Sequence, residues 1–413
     1  FDYDKGIIEK EMSSMDSIRY MVKFMHCSMV VMEPETGAVR AWVGDIDFRT
    51  WKYDKVTAQR QPGSTFKLFV YSEAMNQGLA PCDKRRDEYI SMQVPDKKTG
   101  LLKTWTPRNA NGITLKAGFA RSINTIAVRL GQEMGIKNII RTAQDMGIKS
   151  PLENEPSLAL GSSDVNLLEM VNAYCTVAND GEHCDPIVVT KILDQRGNEV
   201  YVAKPDNKQV LSYQSAFFVQ QLLKGGLTEP GGTSRTLNQY TFGDTDWGGK
   251  TGTSNNHSDA WFIAVSPKLV VGAWVGGEYR SIHFRTGALG QGSKTALPMC
   301  GNFIYDLMRD KAFQKYHAKW LPNPEKDIDP AMYNCQSVVQ PTREPDSLHL
   351  YYRNEQEDLP DENEQDAEGA ENRNIEDRIA PPRPRENEEN NKPKQPSNAP
   401  IPVPKPRIEP LEV

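Results

Sequence analysis

Three short motifs with reactive side chains follow one another along this chain. They read Ser64-Thr65-Phe66-Lys67, then Ser122-Ile123-Asn124, then Lys250-Thr251-Gly252-Thr253. Together they supply a nucleophile, a group that can shuttle a proton and a strand that can bind an anion. Each motif is common by chance, but the set in this order and local context indicates a serine acyl-transfer enzyme.

The first motif pairs a serine hydroxyl with a lysine amine. Ser64 follows Pro62-Gly63, and a glycine just before a helix lets the backbone turn sharply, so we expect Ser64 in the first helical turn. Lys67 then lies on the same helix face and can reach the hydroxyl as a base if its pKa is lowered. A second cation, Lys250, and partial burial would lower that pKa. The alternative is an ordinary exposed lysine.

The second motif lies where one helical pattern gives way to another. Side chains two residues apart point the same way only in a turn or an extended backbone, so a turn here would direct Ser122 and Asn124 toward Ser64. Ser122 could then pass a proton to the leaving amine, and Asn124 could hydrogen-bond a substrate amide. The alternative is that the motif caps a helix.

The third motif predicts a strand that binds the substrate. Gly252 lacks a side chain, which would let another peptide lie against the strand edge. Lys250 and the hydroxyls of Thr251 and Thr253 suit a terminal carboxylate. The backbone amides of Ser64 and Thr253 would form an oxyanion hole for a tetrahedral intermediate. The alternative is a glycine bulge in an edge strand.

The sequence predicts neither a cofactor nor a metal site. The six histidines show no metal-ligand spacing, and no phosphate-binding or dinucleotide-binding glycine loop occurs. The six cysteines contain no Cys-x-x-Cys pair, so we interpret them as free, buried thiols. Cys175 and Cys184 are near enough in sequence for a disulfide in an oxidising compartment, a pairing that sequence alone leaves open.

Charge is distributed unevenly along the 413 residues. Residues 341–413 hold 10 Lys and Arg against 18 Asp and Glu, whereas the remaining chain holds 39 against 37. No strongly basic face is implied, so nucleic acid is not an expected partner. The segment 341–413 also has few large apolar residues, being first acidic and then rich in Pro, Lys and Arg. We predict that it is a disordered spacer.

Two hairpins and a block of helices are predicted to position the motifs. An alternating apolar pattern with a central turn predicts a hairpin within 28–43, and two apolar runs joined by a turn predict a second hairpin within 260–275. Apolar spacings of three and four predict helices over 64–77, 117–133, 136–146, 165–179 and 214–224. Strands near both ends of this region predict an antiparallel sheet packed against helices, in an α+β fold. The motifs then fall where the sheet and the helices join.

The three motifs in this order resemble those of the penicillin-recognising serine acyltransferases. The match is closest to the transpeptidase domain of class A, bifunctional penicillin-binding proteins, and covers roughly residues 28–308. The longer stretches that carry it are Pro34-Glu35-Thr36-Gly37-Ala38-Val39, Arg60-Gln61-Pro62-Gly63-Ser64, Ser157-Leu158-Ala159-Leu160-Gly161 and Asp259-Ala260-Trp261-Phe262. The resemblance implies a five-stranded antiparallel sheet between helical clusters, in a transpeptidase domain that we place at residues 28–340.

The resemblance also implies a reaction on peptidoglycan. Ser64, activated by Lys67, would attack the D-Ala-D-Ala bond of a stem peptide, and Ser122 would relay the proton. An amine of a neighbouring stem peptide would then form the cross-link, and β-lactams would trap Ser64 covalently. By the same resemblance, Lys250 and the two threonines of the third motif would hold the carboxylate, while Asn124 would orient the substrate.

The N-terminal end of the chain and the resemblance together predict where the enzyme is located. The chain has no run of about 18 apolar residues and starts at Phe1 instead of methionine, so we expect an excised or processed piece. Residues 1–27 would link it to a missing N-terminal part that carries the membrane anchor. The resemblance places the enzyme outside the cytoplasm, in the periplasm or on the outer membrane face, with other cell-wall synthesis proteins as partners.

Other activities remain open. A β-lactamase needs a water-activating group, which in class A is a Glu-x-x-Leu-Asn motif. Here Glu155-Pro156-Ser157-Leu158-Ala159 has alanine in place of the asparagine, which favours slow deacylation. A D,D-carboxypeptidase is a related alternative. A non-catalytic β-lactam sensor or scaffold would be acylated only to signal, or would only hold partners.

Overall fold

The structure, a computed structural model, describes residues 1–87, 92–95, 102–105, 110–322 and 327–335. The predicted spacer over residues 341–413 lies outside the described residues. The helices are α1 (Ser14–Met21), α2 (Lys67–Asn76), α3 (Leu115–Ala120), α4 (Asn124–Met134), α5 (Ile136–Asp145), α6 (Leu167–Ala178), α7 (Tyr213–Thr228), α8 (Gly287–Gly290) and α9 (Ala296–Arg309). Short 3-10 helices cover Gly63–Phe66, Pro156–Leu160, Arg235–Gln239, Lys311–Tyr316 and Pro330–Met332.

The strands divide between one central sheet and four small pairs. They are β1 (Met25–Met32), β2 (Val39–Val43), β3 (Lys84–Asp87), β4 (Met92–Pro95), β5 (Leu102–Trp105), β6 (Ala110–Thr114), β7 (Glu182–His183), β8 (Lys191–Leu193), β9 (Glu199–Val202), β10 (Lys208–Gln209), β11 (Gly248–Thr253), β12 (Asp259–Val265) and β13 (Val270–Gly277). The central sheet has the order β11-β12-β13-β1-β2, and its neighbouring strands are antiparallel.

The central sheet joins the two ends of the predicted domain. Both predicted hairpins are confirmed, because β1 pairs with β2 and β12 pairs with β13. Strand β1 also pairs with β13 along its full length, from Met25 opposite Gly277 to Met32 opposite Val270. The β1 strand starts three residues before the predicted hairpin. The sequence therefore predicts the fold class correctly, as an α+β fold with a five-stranded antiparallel sheet.

Helices cover both faces of the central sheet. Along β12 the side chains alternate: Trp261 and Ile263 lie in the larger core, which α2 and α4–α7 share, whereas Phe262 lies in the smaller core with α9. This period of two is what a strand buried on both faces requires. The predicted helical windows match α2, α3 with α4, α5, α6 and α7. The sheet thus lies between two helical clusters.

One disulfide corrects the prediction that all cysteines are free. Cys82 and Cys335, which are 253 residues apart, are bonded to each other. A backbone hydrogen bond of 3.0 Å from Cys82 N to Met332 O holds the two segments side by side. Cys175 and Cys184 are both free thiols, so that possible pairing is wrong. Sequence distance misleads here because the fold, not the chain, brings the bonded pair together.

The N-terminal residues pack onto the start of the sheet. The Phe1 ring meets the rings of Phe24 and Trp51 edge to face, and its centroid lies 5.1 Å from that of Trp51. Residues 25–27, which we assigned to a linker, form the start of β1. The link from residues 1–27 to a further N-terminal part stays a prediction. In the described part of the chain, no helix is long and apolar enough to cross a membrane.

Candidate active site

A tight 3-10 turn presents the serine of the first motif. Gly63 opens this turn with a positive φ of 52°, and α2 begins immediately after it at Lys67. In a 3-10 helix, residues three apart lie almost directly above one another. The structure therefore places Ser64 and Lys67 on one side of the same helical segment, as the sequence predicts.

Because three glycines lack side chains, the backbone of this turn can pack closely against two neighbouring backbone segments. A Cβ at Gly161 would overlap the carbonyl oxygen of Gly63, and one at Gly63 would overlap the carbonyl oxygen of Thr253. A Cβ at Gly252 would overlap the carbonyl oxygen of Pro62. The missing side chain at Gly252 thus makes room for the serine turn, and its contact with a substrate peptide stays a prediction.

Hydrogen bonds fix the same turn from the core. The indole Nε1 of Trp261 donates to the carbonyl of Gln61 at 2.8 Å. The hydroxyl of Tyr174 donates to the carbonyl of Thr65 at 2.9 Å. Both donors belong to buried aromatic residues on rigid elements, β12 and α6. The backbone around Ser64 is therefore positioned before any ligand arrives.

A buried lysine faces the second motif. The Lys67 amine, fully buried, donates to the carbonyl of Ser122 and to Oδ1 of Asn124, the latter at 2.6 Å. It lies 3.3 Å from the Ser122 hydroxyl. From the other side, Nζ of Lys250 lies 2.8 Å from that same hydroxyl. The Ser122 hydroxyl thus lies between two amines, which is the position that a proton relay needs.

Burial changes the protonation of both lysines. Burial, and after it the charge of Lys250, lowers the pKa of Lys67 well below its usual range. Burial lowers the pKa of Lys250 to about 7. The Lys250 amine also lies 5.7 Å above the Phe119 ring, a contact that favours its charged form. Near neutral pH, Lys67 is the amine that can accept a proton, and Lys250 is the better candidate for a cation.

The second motif is a turn, and it caps no helix. Ser122 has a positive φ of 59°, and α4 begins at Asn124 after Ile123, without a side-chain cap. This backbone brings both polar side chains of the motif to Lys67. Because Oδ1 of Asn124 already accepts from that lysine, the NH2 of Asn124 is the group left to donate to a substrate carbonyl.

The third motif lies on the edge strand β11. Its pairing with β12 runs in register from Gly248 opposite Val265 to Thr253 opposite Ala260, so the alternative of a glycine bulge is wrong. The Thr251 hydroxyl donates to the Thr233 hydroxyl at 2.7 Å. The Thr253 hydroxyl accepts from the Gly292 amide at 3.2 Å. The backbone of Thr253 also borders the serine turn, where the predicted oxyanion amides would meet.

The structure brings Lys67, Ser122, Asn124 and Lys250 into contact and places the backbone of Thr253 against the turn that carries Ser64. It also adds residues that the sequence analysis missed. Thr233 follows a Gly-Gly pair, and that pair is its local signal of a close backbone approach. Tyr174 gave no signal beyond its apolar helical position. Gly161 was noted only as part of a longer stretch, without a role.

Fold and site together define a protein of the penicillin-recognising serine class. The family model described as the penicillin binding protein transpeptidase domain matches residues 27–275. Penicillin-binding protein 1A of Rickettsia felis is 32% identical over 69% of this chain and 38% of its own length. Penicillin-binding protein 2D of Bacillus subtilis is 34% identical over 59% of this chain and 36% of its own length.

A solved structure agrees with these relatives. The crystal structure of penicillin-binding protein 1A from Haemophilus influenzae is 27% identical, with a TM-score of 0.65 over 73% of this chain and 49% of that chain. The chain belongs to the penicillin-binding protein transpeptidase domain family. It spans less than two fifths of the length of the two curated relatives.

Proposed function

We propose that this chain is a D,D-transpeptidase that cross-links peptidoglycan stem peptides through an acyl-enzyme on Ser64. The observation that carries the proposal is the buried Lys67 amine, which has a lowered pKa and shares the Ser122 hydroxyl with Lys250. Such an amine can take the proton of a serine hydroxyl that is otherwise a poor nucleophile. Membership of the family supports the same reaction.

Acylation follows from these positions. The Ser64 oxygen attacks the carbonyl carbon between the two D-Ala residues while Lys67 takes the hydroxyl proton. The amides of Ser64 and Thr253 would stabilise the resulting oxyanion. When the C–N bond breaks, Ser122 passes a proton to the departing D-Ala amine, drawing on the protonated lysine beside it. The amine of a neighbouring stem peptide then attacks the ester and restores the Ser64 hydroxyl.

Substrate recognition would use the remaining motif residues. The terminal carboxylate of D-Ala-D-Ala would bind beside the Lys250 ammonium and the hydroxyls of Thr251 and Thr253. The NH2 of Asn124 would hold a carbonyl of the stem peptide. A β-lactam, which carries both a reactive amide and a carboxylate, would enter the same way and leave Ser64 acylated.

The disulfide supports a location outside the cytoplasm. Cys82–Cys335 is a structural crosslink, and such bonds persist in oxidising compartments. We place the domain in the periplasm or on the outer face of the cytoplasmic membrane. A membrane anchor and partner proteins of cell-wall synthesis would belong to the longer parent protein.

In place of the asparagine of the class A β-lactamase motif, this chain has an alanine. Ala159 is buried, and a Cβ at Gly131 would lie 2.9 Å from its methyl group. No asparagine amide can hold a hydrolytic water at that point. The acyl-enzyme is therefore expected to be hydrolysed slowly, which disfavours β-lactamase as the main activity.

Intact-mass spectrometry after mixing with a penicillin tests the proposal. We expect a lasting adduct that peptide mapping places on Ser64, and none in Ser64→Ala. Ser72→Ala is the matched control, because Ser72 is buried on the following helix and should leave labelling unchanged. Rapid loss of the adduct with hydrolysed penicillin would indicate a β-lactamase, and an adduct elsewhere would remove Ser64 as the nucleophile.

A second assay separates the remaining activities. The chain is incubated with glycan strands that carry pentapeptide stems, and the products are digested and separated. Cross-linked muropeptides support the transpeptidase. Trimmed stems without cross-links indicate a carboxypeptidase. An adduct with penicillin but no change in the stems indicates a sensor or scaffold.

A further inference from the structure

A loop behind the anion-binding strand connects the two walls of the site. This loop, residues 229–234, runs from the end of α7 to the next 3-10 helix. The amide of Thr233 donates to the carbonyl of Ala120 at 3.0 Å, directly before the Ser122 turn. The hydroxyl of Thr233 accepts from the Thr251 hydroxyl at 2.7 Å. One residue therefore bonds both to the end of α3 and to β11.

The position of this loop is fixed by close packing. A Cβ at Gly232 would overlap the carbonyl oxygen of Gly226, and a Cβ at Gly226 would lie 2.6 Å from the carbonyl oxygen of Gly249. The guanidinium Nε of Arg121 donates to the carbonyl of Pro230 at 2.9 Å. With backbone contacts on both sides, the loop holds Thr233 at a set distance from the strand.

We propose that Thr233 is a positioning residue that makes the site selective for substrates with a terminal carboxylate, because it orients the hydroxyl of Thr251. The inference rests on the proposed function, since it assumes that Thr251 meets the carboxylate. It assigns a role to a residue outside all three motifs.

Each of the two hydroxyls has a single proton to donate. In the structure Thr251 donates to Thr233, and the Thr233 hydroxyl lies 3.5 Å from the carbonyl of Ala120, which can accept its proton. To bind a carboxylate, Thr251 must turn its own proton toward that anion. Thr233 can then rotate and donate to the oxygen of Thr251, so neither hydroxyl loses its partner. The donated bond also polarises Thr251 and strengthens its bond to the anion.

The test compares two probes, a penicillin and its methyl ester, which lacks the negative charge of the carboxylate. The second-order rate constant of acylation is measured for Thr233→Val, which keeps the shape, and for Thr233→Ser, which keeps the hydroxyl. We expect Thr233→Val to slow acylation by the penicillin about tenfold while the ester changes by less than about twofold. Thr233→Ser should restore most of the penicillin rate.

A double-mutant cycle gives a second readout. If Thr233 acts through its partner, Thr233→Val should add little once Thr251→Val is present. An equal loss with both probes, or additive losses in the cycle, would show a merely structural role and overturn the inference. An unchanged penicillin rate in Thr233→Val would also overturn it. Failure of the unmodified chain to form any Ser64 adduct would instead refute the proposed function.

Discussion

Gly161 lies outside the three motifs, yet replacing it with alanine should greatly slow the acylation of Ser64. Gly161 has φ 77° and ψ 46°, a left-handed conformation that costs alanine about 1–2 kcal/mol. Its Cβ would also overlap the Gly63 carbonyl oxygen and lie 2.8 Å from the Gly63 nitrogen, whereas real Cβ atoms keep at least 3.0 Å. The serine turn must therefore move, and we expect a displacement of about 1 Å to slow acylation about 100-fold.

A matched control separates strain from displacement. Gly197 has φ 84° in the turn between β8 and β9, and a Cβ there would meet nothing within 4 Å. Gly197→Ala therefore carries the same backbone strain of about 1–2 kcal/mol without moving any neighbour. We expect it to lower the unfolding free energy slightly and to leave acylation at the rate of the unmodified chain.

The assay is the rate of covalent penicillin labelling, measured alongside urea unfolding of each variant. Gly161→Ala should be folded in the absence of urea, since the expected strain is small beside the usual stability of 5–15 kcal/mol. Labelling of folded Gly161→Ala at the rate of Gly197→Ala would refute the reasoning. It would mean that the contact between Gly161 and Gly63 does not position Ser64.

Three further predictions concern charge, crosslinking and the C-terminal segment. Acylation by a penicillin should fall as the pH rises through about 7, because Lys250 loses the proton that attracts the carboxylate, and a pH profile of the rate that stays level to pH 9 would contradict this. Removing the disulfide with Cys82→Ala and Cys335→Ala should lower the unfolding free energy by about 2–5 kcal/mol in urea titrations, because the bond closes a very long loop. An unchanged unfolding midpoint would show that packing alone holds these segments. Removal of residues 341–413 should leave labelling unchanged, and a large loss would contradict the spacer prediction.

Local sequence signals predicted most of the fold. Two apolar runs joined by a short turn located β12 and β13, and the apolar spacing of α2 placed Lys67 on the helix after the serine turn. Those signals are reliable here because strands and helices must bury apolar residues with fixed periods. The order of the three motifs then indicated one site. The motifs lie in separate local structures but carry groups with complementary chemistry, and a shared site explains why one sequence contains all of them.

Long-range contacts account for what the sequence analysis missed. Cys82 and Cys335 meet only because distant segments pack side by side, and no spacing rule reaches across 253 residues. Thr233 acts through a hydrogen bond to another hydroxyl, a partner that no periodicity reveals. At Gly252 the sequence predicted a close approach but did not show that the serine turn is what packs against its Cα. A glycine in a sequence can indicate that another atom packs closely against its Cα, but it does not identify that atom.

The pairing of β1 with β13 also determines when a growing chain can fold. Chains are synthesised from the N-terminus, so β1 emerges before its partner along one whole edge, β13 (residues 270–277), which is the last strand of the central sheet to be made. Until then β1 and β2 form an isolated hairpin with an open edge, which is marginally stable and prone to pair with other chains. The turn that carries Ser64 is likewise enclosed only after Thr253 has been synthesised, because the backbone of Thr253 packs against it. The site is therefore assembled only when the later strands of the sheet are present, and until then the sheet keeps an open edge on β1.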